Sequence, residues 1–253
     1  MSKKEERVVD NSLLLIIDPQ YDFVDKLGKL YVEGADIAVE NIAQFLVKNM
    51  DCFKDVVITQ DTHQRFHISS QYFWDEKVKP GTVITKEDIL QARYIPLATR
   101  DEIDYELMFE GIDKYGPITI WPNHCLEGTN GQSIPLKLMR EVNNWGVRKR
   151  RSYIIQKKGD IPVLESFSAL TEERIFGTKQ FWRNQKYDKV YICGFCKDYC
   201  VAYTVIDMIK TGDYENKLVF VDPCMSSISK DSKILEIYEK AIKEHGATRI
   251  TKI

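Results

Sequence analysis

Six short runs of this chain read as buried strands, most of them apolar on consecutive residues where a half-buried strand would alternate: "SLLLIID" (12–18), "DVVITQD" (55–61), "ITIW" (118–121), "SYIIQ" (152–156), "KVYICGF" (189–195) and "KLVFVD" (217–222). Unbroken apolarity means that both faces of a strand are covered, which is the condition of parallel strands in α/β proteins. Helical patterns lie between the runs. "GADIAVENIAQFLVKN" places Ile37, Ile42, Phe45 and Leu46 on one stripe, and "SIPLKLMREVNNW" and "DYCVAYTVIDMIKTG" have the same character. "DSKILEIYEKAIKEHG" ends on a glycine stop signal. Strand and helix alternating in this way predict a right-handed, three-layer α/β sandwich around a parallel sheet of about six strands.

The length of 253 residues suits one domain over residues 1–253. One stretch breaks the rhythm. Residues 64–117 hold Pro80, Pro96 and Pro117, two aromatic clusters and little periodicity, and are read as an insertion with short elements of its own. Such an excursion suits a lid or a contact with a second copy of the chain.

A formal net charge of -2 gives no reason to expect nucleic acid or an anionic membrane as a partner. The basic block "RKRR" (148–151) reads as a solvated turn against that neutral background. No apolar run reaches the roughly 18 residues of a membrane span. The start, "MSKKEERVVDNS", lacks a signal-peptide core. These absences set the expectation of a cytoplasmic protein, with the nucleus also open, whose six cysteines are reduced thiols.

In open parallel sheets, ligands bind beyond the carboxyl ends of the strands. The first run ends at Asp18. The second ends at Asp61, followed by His63. The third leads into "WPNHC", which holds Trp121, His124 and Cys125. The fourth leads to Lys157 and Lys158, and the fifth to "GFCKDYC". An aspartate at a strand end is ordinarily a cap or turn former, and a lone cysteine at a helix start is ordinarily a small buried hydrophobe. Here a carboxylate, an amine and a thiol converge on one rim, and the coincidence favours chemistry. Cys200 falls in the first turn of a helix that Asp198 could cap. The positive end of the macrodipole there favours thiolate, and the helix-start N–H groups can hold an oxyanion. Asp61 and His63, two apart on a strand, share a face. With His124 they form a set suited to a divalent cation: zinc first, with iron(II) or manganese also compatible.

These residues resemble the nicotinamidase branch of the isochorismatase-like cysteine hydrolases. The likeness runs through "LLLIIDPQYDF", "ITQDTHQRFHIS", "IWPNHCLEGTNGQ", "IIQKKG" and "ICGFCKDYCV", in that order. It implies cleavage of nicotinamide to nicotinate and ammonia, as in NAD salvage, with a small molecule as the partner. Residue by residue, it implies Asp18 as the triad carboxylate and Cys200 as the nucleophile. It implies Lys158, the lysine before Gly159, as the triad lysine, with Lys157 left open by one register. It implies Asp61, His63 and His124 as metal ligands, and His67 as a further ligand or a contact to bound water. Phe23 and Trp121 would stack on the pyridine ring. A cis peptide at Phe195–Cys196 would aim the N–H of Cys196, with that of Cys200, at the oxyanion. The chain departs from the family in carrying Cys196 where a small residue is usual, and in the longer insertion. The competing readings are a related hydrolase of another small amide and a catalytically silent, metal-holding binder.

Overall fold

The computed structural model describes residues 10–98, 103–171, 180–229 and 233–253, so that most of the amino-terminal segment "MSKKEERVVDNS" lies outside them. Ser12–Ile17 (β1) is buried at every residue because it has a strand on each side. Its neighbours are Phe53–Asp61 (β2), with Ile16 opposite Ile58, and Val190–Gly194 (β6), with Leu15 opposite Ile192. Val83–Ile84 (β3) and Ile118–Thr119 (β4) stand apart as an antiparallel ribbon. Ile154–Lys158 (β5), Leu218–Met225 (β7) and Thr248–Ile250 (β8) complete a six-stranded sheet of order β5-β2-β1-β6-β7-β8, parallel throughout.

The chain builds outward from β1 to β2 and β5, then returns to lay β6 on the other side of β1. The strand order reverses between β1 and β6, where open α/β sheets place their ligands. Asp18 leaves the end of β1 and Cys200 follows β6, so topology alone brings them to one crevice.

Two expectations need correction. "ITIW" is not part of the main sheet. Its apolar residues serve a second cluster, in which Ile118 and Ile120 join Ile68, Phe73, Trp74 and Ile84. That cluster gives the 64–117 excursion a small core of its own. Within the excursion lie helix Lys86–Leu90, closed by a Thr85/Asp88 capping box, and helix Tyr105–Tyr115, capped by Asp104. The sixth strand of the sheet is instead β8, three residues long and half-buried, too short and too mixed to carry a periodic signal.

The stripe of helix Ala35–Lys48 is also rotated. It buries Ala35, Ala38, Val39, Ile42, Phe45 and Leu46, while Ile37 is 65% exposed. Ala35 and Ala38 allow close packing on the sheet and draw the buried face around by one position. Among the described residues, no helix is long and apolar enough to cross a membrane.

The approach of β6 to β1 is tightest at its last residue. Gly194 has φ +117, and a Cβ there would lie 2.0 Å from the Ile17 carbonyl oxygen. Only glycine takes that backbone without strain or clash. Gly194→Ala is therefore expected to destabilise the fold by about 3 kcal/mol or more, measured as the shift in the urea unfolding midpoint. A change below about 1 kcal/mol would contradict the close approach.

Candidate active site

The end of β1 is locked before any charge is considered. Asp18 takes a left-handed backbone, φ +46, which aspartate tolerates better than most residues. Its N–H donates to Thr59 Oγ1 (3.1 Å), and the Thr59 hydroxyl donates to Asp18 Oδ1 (2.6 Å). Two residues on, Gln20 binds both backbone groups of Asp61. Its Nε2 donates to the Asp61 carbonyl (2.6 Å) and its Oε1 accepts from the Asp61 N–H (2.7 Å). The ends of β1 and β2 are thus held at fixed register by side chains.

Across β2, Asp61 stands directly opposite Lys158 of β5. The Lys158 ammonium lies 2.8 Å from Asp18 Oδ2, 3.1 Å from Asp61 Oδ1 and 3.5 Å from Cys200 Sγ, and donates to the Ser166 carbonyl (3.2 Å). Lys157, one residue earlier, points the other way, is half-exposed and pairs with Glu127. The structure therefore brings Lys158, and not Lys157, to Asp18 and Cys200.

Burial disfavours the charged form of every group in this chamber, and the neighbours outweigh it at some groups and not at others. For Lys158, burial is outweighed by Asp18, Asp61 and Cys200, which keep it protonated well above the ordinary lysine range. For Asp61, burial is outweighed by His63 and Lys158, which hold its carboxyl well below the usual range. For Asp18, burial prevails over the opposing charge of Lys158, and its pKa is raised. For Cys200, burial again prevails over Lys158, and its pKa stands well above the ordinary thiol range. The resting nucleophile candidate is thus a thiol, not the thiolate that its place at a helix start suggested.

Cys200 lies in a wide turn, Lys197–Val201, in which the Val201 N–H donates to the Cys196 carbonyl (3.2 Å). The turn leads into helix Ala202–Thr211. The Phe195–Cys196 peptide is cis. Asp198 does not cap this helix: its carboxylate accepts from the N–H groups of Ile228 (3.0 Å) and Ser229 (2.8 Å), fastening the loop after β7 to the turn.

Asp61, His63 and His124 form one group, their ligand atoms all within 4.8 Å of one another. His124 arrives by a bridge along the end of β2, not from a strand of the main sheet. The His63 N–H donates to the Cys125 carbonyl (3.1 Å), and the Glu127 N–H donates to the His63 carbonyl (2.9 Å). His63 Nδ1 donates to the Gly159 carbonyl (3.0 Å) and His124 Nδ1 to the Pro122 carbonyl (2.8 Å). A carbonyl can only accept, so each Nδ1 carries a hydrogen and each Nε2 faces Asp61 Oδ2, at 2.9 and 3.5 Å. Electron pairs facing one another at that range require a positive charge between them, either a proton or a cation. Burial alone would lower the His63 pKa, but the Asp61 carboxylate overrides it and raises it to about 9. The two nitrogens and one carboxylate, with carbonyl-fixed tautomers, fit a divalent cation.

The His67 ring lies tilted against that of His63, 4.3 Å between ring centroids. Its own nitrogens are engaged elsewhere, Nδ1 with Ser69 Oγ (2.8 Å) and Nε2 with the Leu164 carbonyl (3.2 Å). Phe23 lies on His124 (5.4 Å), while Trp121 meets the edge of Tyr199 (5.5 Å), which in turn meets Phe167 (5.3 Å). A cavity of about 220 Å³ is lined by Phe167 and Tyr199, together with Ile112 of the excursion and Ile118 of β4.

Four residues of this region escaped the sequence reading. Gln20 sits inside "DPQYDF" and Thr59 shares a strand face with Asp61, so a polar residue in an apolar strand was a usable signal for Thr59. Glu165 is half-buried, and burial raises its carboxyl pKa against the pull of His63. Neither it nor Ser166 lies in a motif.

No protein-family model matches the chain. A nicotinamidase of Acinetobacter baylyi is 28% identical over 245 residues, 96% of this chain and 93% of that protein. The yeast nicotinamidase bound to the inhibitor nicotinaldehyde has a similar fold, with a TM-score of 0.65 at 22% identity over 95% of this chain and 100% of that one. The pyrazinamidase of Pyrococcus horikoshii, solved in complex with zinc, has a TM-score of 0.55 at 19% identity over 96% of this chain and 99% of that one.

Gly159 ties the candidate metal group to β5. Its φ is +79, and a Cβ there would stand 2.8 Å from Asp61 Oδ1 and 3.0 Å from His63 Cε1. Gly159→Ala is expected to weaken divalent-cation binding by about 10-fold or more, read by competition with a chelating dye. Unchanged affinity would remove Asp61 and His63 from the ligand set.

Proposed function

We infer that the chain is a nicotinamidase of the isochorismatase-like cysteine hydrolases, converting nicotinamide to nicotinate and ammonia. The observation that carries this reading is the Lys158 ammonium, held at once by Asp18 and Asp61 and in reach of Cys200 Sγ. The neighbouring Asp61/His63/His124 group and the near full-length likeness to a nicotinamidase support it.

In the proposed reaction, Asp18 takes the Cys200 proton as the sulfur attacks the carboxamide carbon. Its raised pKa makes it a stronger base than an exposed aspartate. The Lys158 ammonium faces the sulfur and favours the developing negative charge. The oxyanion is assigned to the backbone N–H groups of Cys196 and Cys200. Asp18 then returns the proton to the leaving nitrogen and ammonia departs, leaving a thioester on Cys200. Water cleaves the thioester and releases nicotinate, with Asp18 again moving the proton.

Phe23 and Trp121 are assigned to the pyridine ring. Asp61, His63 and His124 would hold a divalent cation, zinc first. When bound, such a cation would supply Lewis-acid chemistry at the site. The Nδ1 bonds of both histidines to carbonyls keep the Nε2 atoms presented to it.

Cys200→Ala is expected to abolish ammonia release from nicotinamide, by 1,000-fold or more on the scale of lost nucleophiles, while the far-ultraviolet dichroism is retained. Retained turnover would refute Cys200 as the nucleophile. Chelation should remove activity, and zinc should restore it. Chelation without effect would leave the cysteine chemistry and discard the metal.

The pH dependence has a definite sign. Protonated Asp18 cannot accept the thiol proton, so kcat/KM falls as pH drops through the Asp18 pKa. Because that pKa is raised, the acid limb of the profile should lie above the ordinary aspartate value of about 3.9. Asp18→Asn should abolish activity across the range. An acid limb at or below the ordinary value would contradict the buried base.

A further inference from the structure

We propose that the Ser166 hydroxyl is a substrate-contacting group that hydrogen-bonds the carboxamide being cleaved. This rests on the nicotinamidase reading and adds a residue to it. Ser166 is fully buried, yet its Oγ has no hydrogen-bond partner among the described residues. Folded proteins rarely leave a buried hydroxyl unpaired, because such a group loses its water without replacement. An unpaired hydroxyl at a reaction centre has a natural explanation if its partner is the substrate.

The position of Ser166 makes that explanation specific. Its carbonyl accepts from Lys158 Nζ at 3.2 Å, and the same nitrogen lies 3.5 Å from Cys200 Sγ and 2.8 Å from Asp18 Oδ2. Residue 166 therefore forms part of the wall around the reacting atoms. The next residue, Phe167, meets Tyr199, which meets Trp121, so the same segment also borders the aromatic residues assigned to the ring.

The segment is held in place. The Ala169 N–H donates to Thr204 Oγ1 (3.0 Å), whose hydroxyl donates to the Cys200 carbonyl (2.7 Å). The Ala169 carbonyl accepts from Gln156 Nε2 (2.6 Å). The contrast with Ser168 is informative. Its hydroxyl accepts from the Leu170 N–H (3.1 Å), the local bond by which serines in turns are ordinarily satisfied. Ser166, two residues away, has no such bond. A serine hydroxyl both donates and accepts, and a primary carboxamide offers both N–H groups and a carbonyl oxygen. That carboxamide is the part of nicotinamide that must lie against Cys200.

The test is Ser166→Ala in the full chain with its metal. Steady-state ammonia release from nicotinamide would be measured beside the thermal unfolding midpoint. The expected result is a loss of about 10-fold in kcat/KM, the size of one hydrogen bond. The unfolding midpoint should stay the same or rise, because the substitution removes an unpaired buried polar group. A merely structural serine would instead lower the midpoint, and that outcome overturns the proposal. Unchanged kcat/KM with a raised midpoint also overturns it, since the hydroxyl would then have no partner in either state. If the wild-type protein released no ammonia from nicotinamide, the nicotinamidase reading would fall and this assignment with it. A wild type that is active and a Ser166→Ala variant equally active would refute Ser166 alone.

Discussion

A single buried ammonium organises this molecule. Lys158 stands between the carboxylates of Asp18 and Asp61 and beside the Cys200 thiol. These groups come from four separate segments of the chain. Removing the cation would leave two buried carboxylates without the ammonium that pairs with both. A buried ion pair gains little net stability over apolar packing, but a buried charge left without its partner is costly. The arrangement is therefore best understood as a constraint. Once Lys158 is inside, both aspartates must be present and correctly placed, and the strands that bear them must keep their register.

That register is held by polar side chains at the sheet edge, where backbone pairing ends. Gln20 pairs with both backbone groups of Asp61, and Thr59 pairs with Asp18. Each bond crosses between β1 and β2 at the point where the ladder gives way to loops. The Asp61–Lys158 pairing continues the same line across to β5. On the other side, Gly194 lets the end of β6, which leads into the Cys200 turn, come close to Ile17 at the end of β1. The catalytic geometry proposed for this chain is thus a property of the sheet's rim, and the helices serve mainly to cover its faces.

Much of this was legible in the sequence, and the parts that were not share a cause. Strands β1, β2, β6 and β7 each hold an unbroken apolar run, so burial on both faces wrote them plainly. Their ends delivered Asp18, Asp61, His63 and the Cys200 segment to one rim by topology. β8 was hidden because three half-buried residues at an edge carry no period. "ITIW" misled because apolarity reports burial without saying in which core. The thiol state of Cys200 could not be read from its place at a helix start, since a helix end acts weakly against full burial. Asp198 looked like a cap because aspartates before helices usually are, and only the tertiary structure shows the Ile228 and Ser229 N–H groups that claim it. Gln20, Glu165 and Ser166 depend on contacts between distant segments, which no local pattern encodes.

The protonation states of the chamber also fit together. The single positive charge of Lys158 already faces two negative ones, on Asp18 and Asp61. A thiolate at Cys200 would add another, and burial makes that unfavourable, which is why its pKa is driven up despite the adjacent ammonium. Burial drives the Asp18 pKa up as well. The same desolvation that disfavours the thiolate therefore strengthens the base proposed to produce it. Passing a proton from Cys200 to Asp18 changes the net charge of the chamber by nothing, whereas losing it to solvent would. In the proposed scheme the sulfur becomes a nucleophile only while the substrate carbonyl is there to take on the charge, which the backbone N–H groups then receive. In that scheme, a buried thiol with a buried base would stay unreactive toward solvent and react with what the chamber admits.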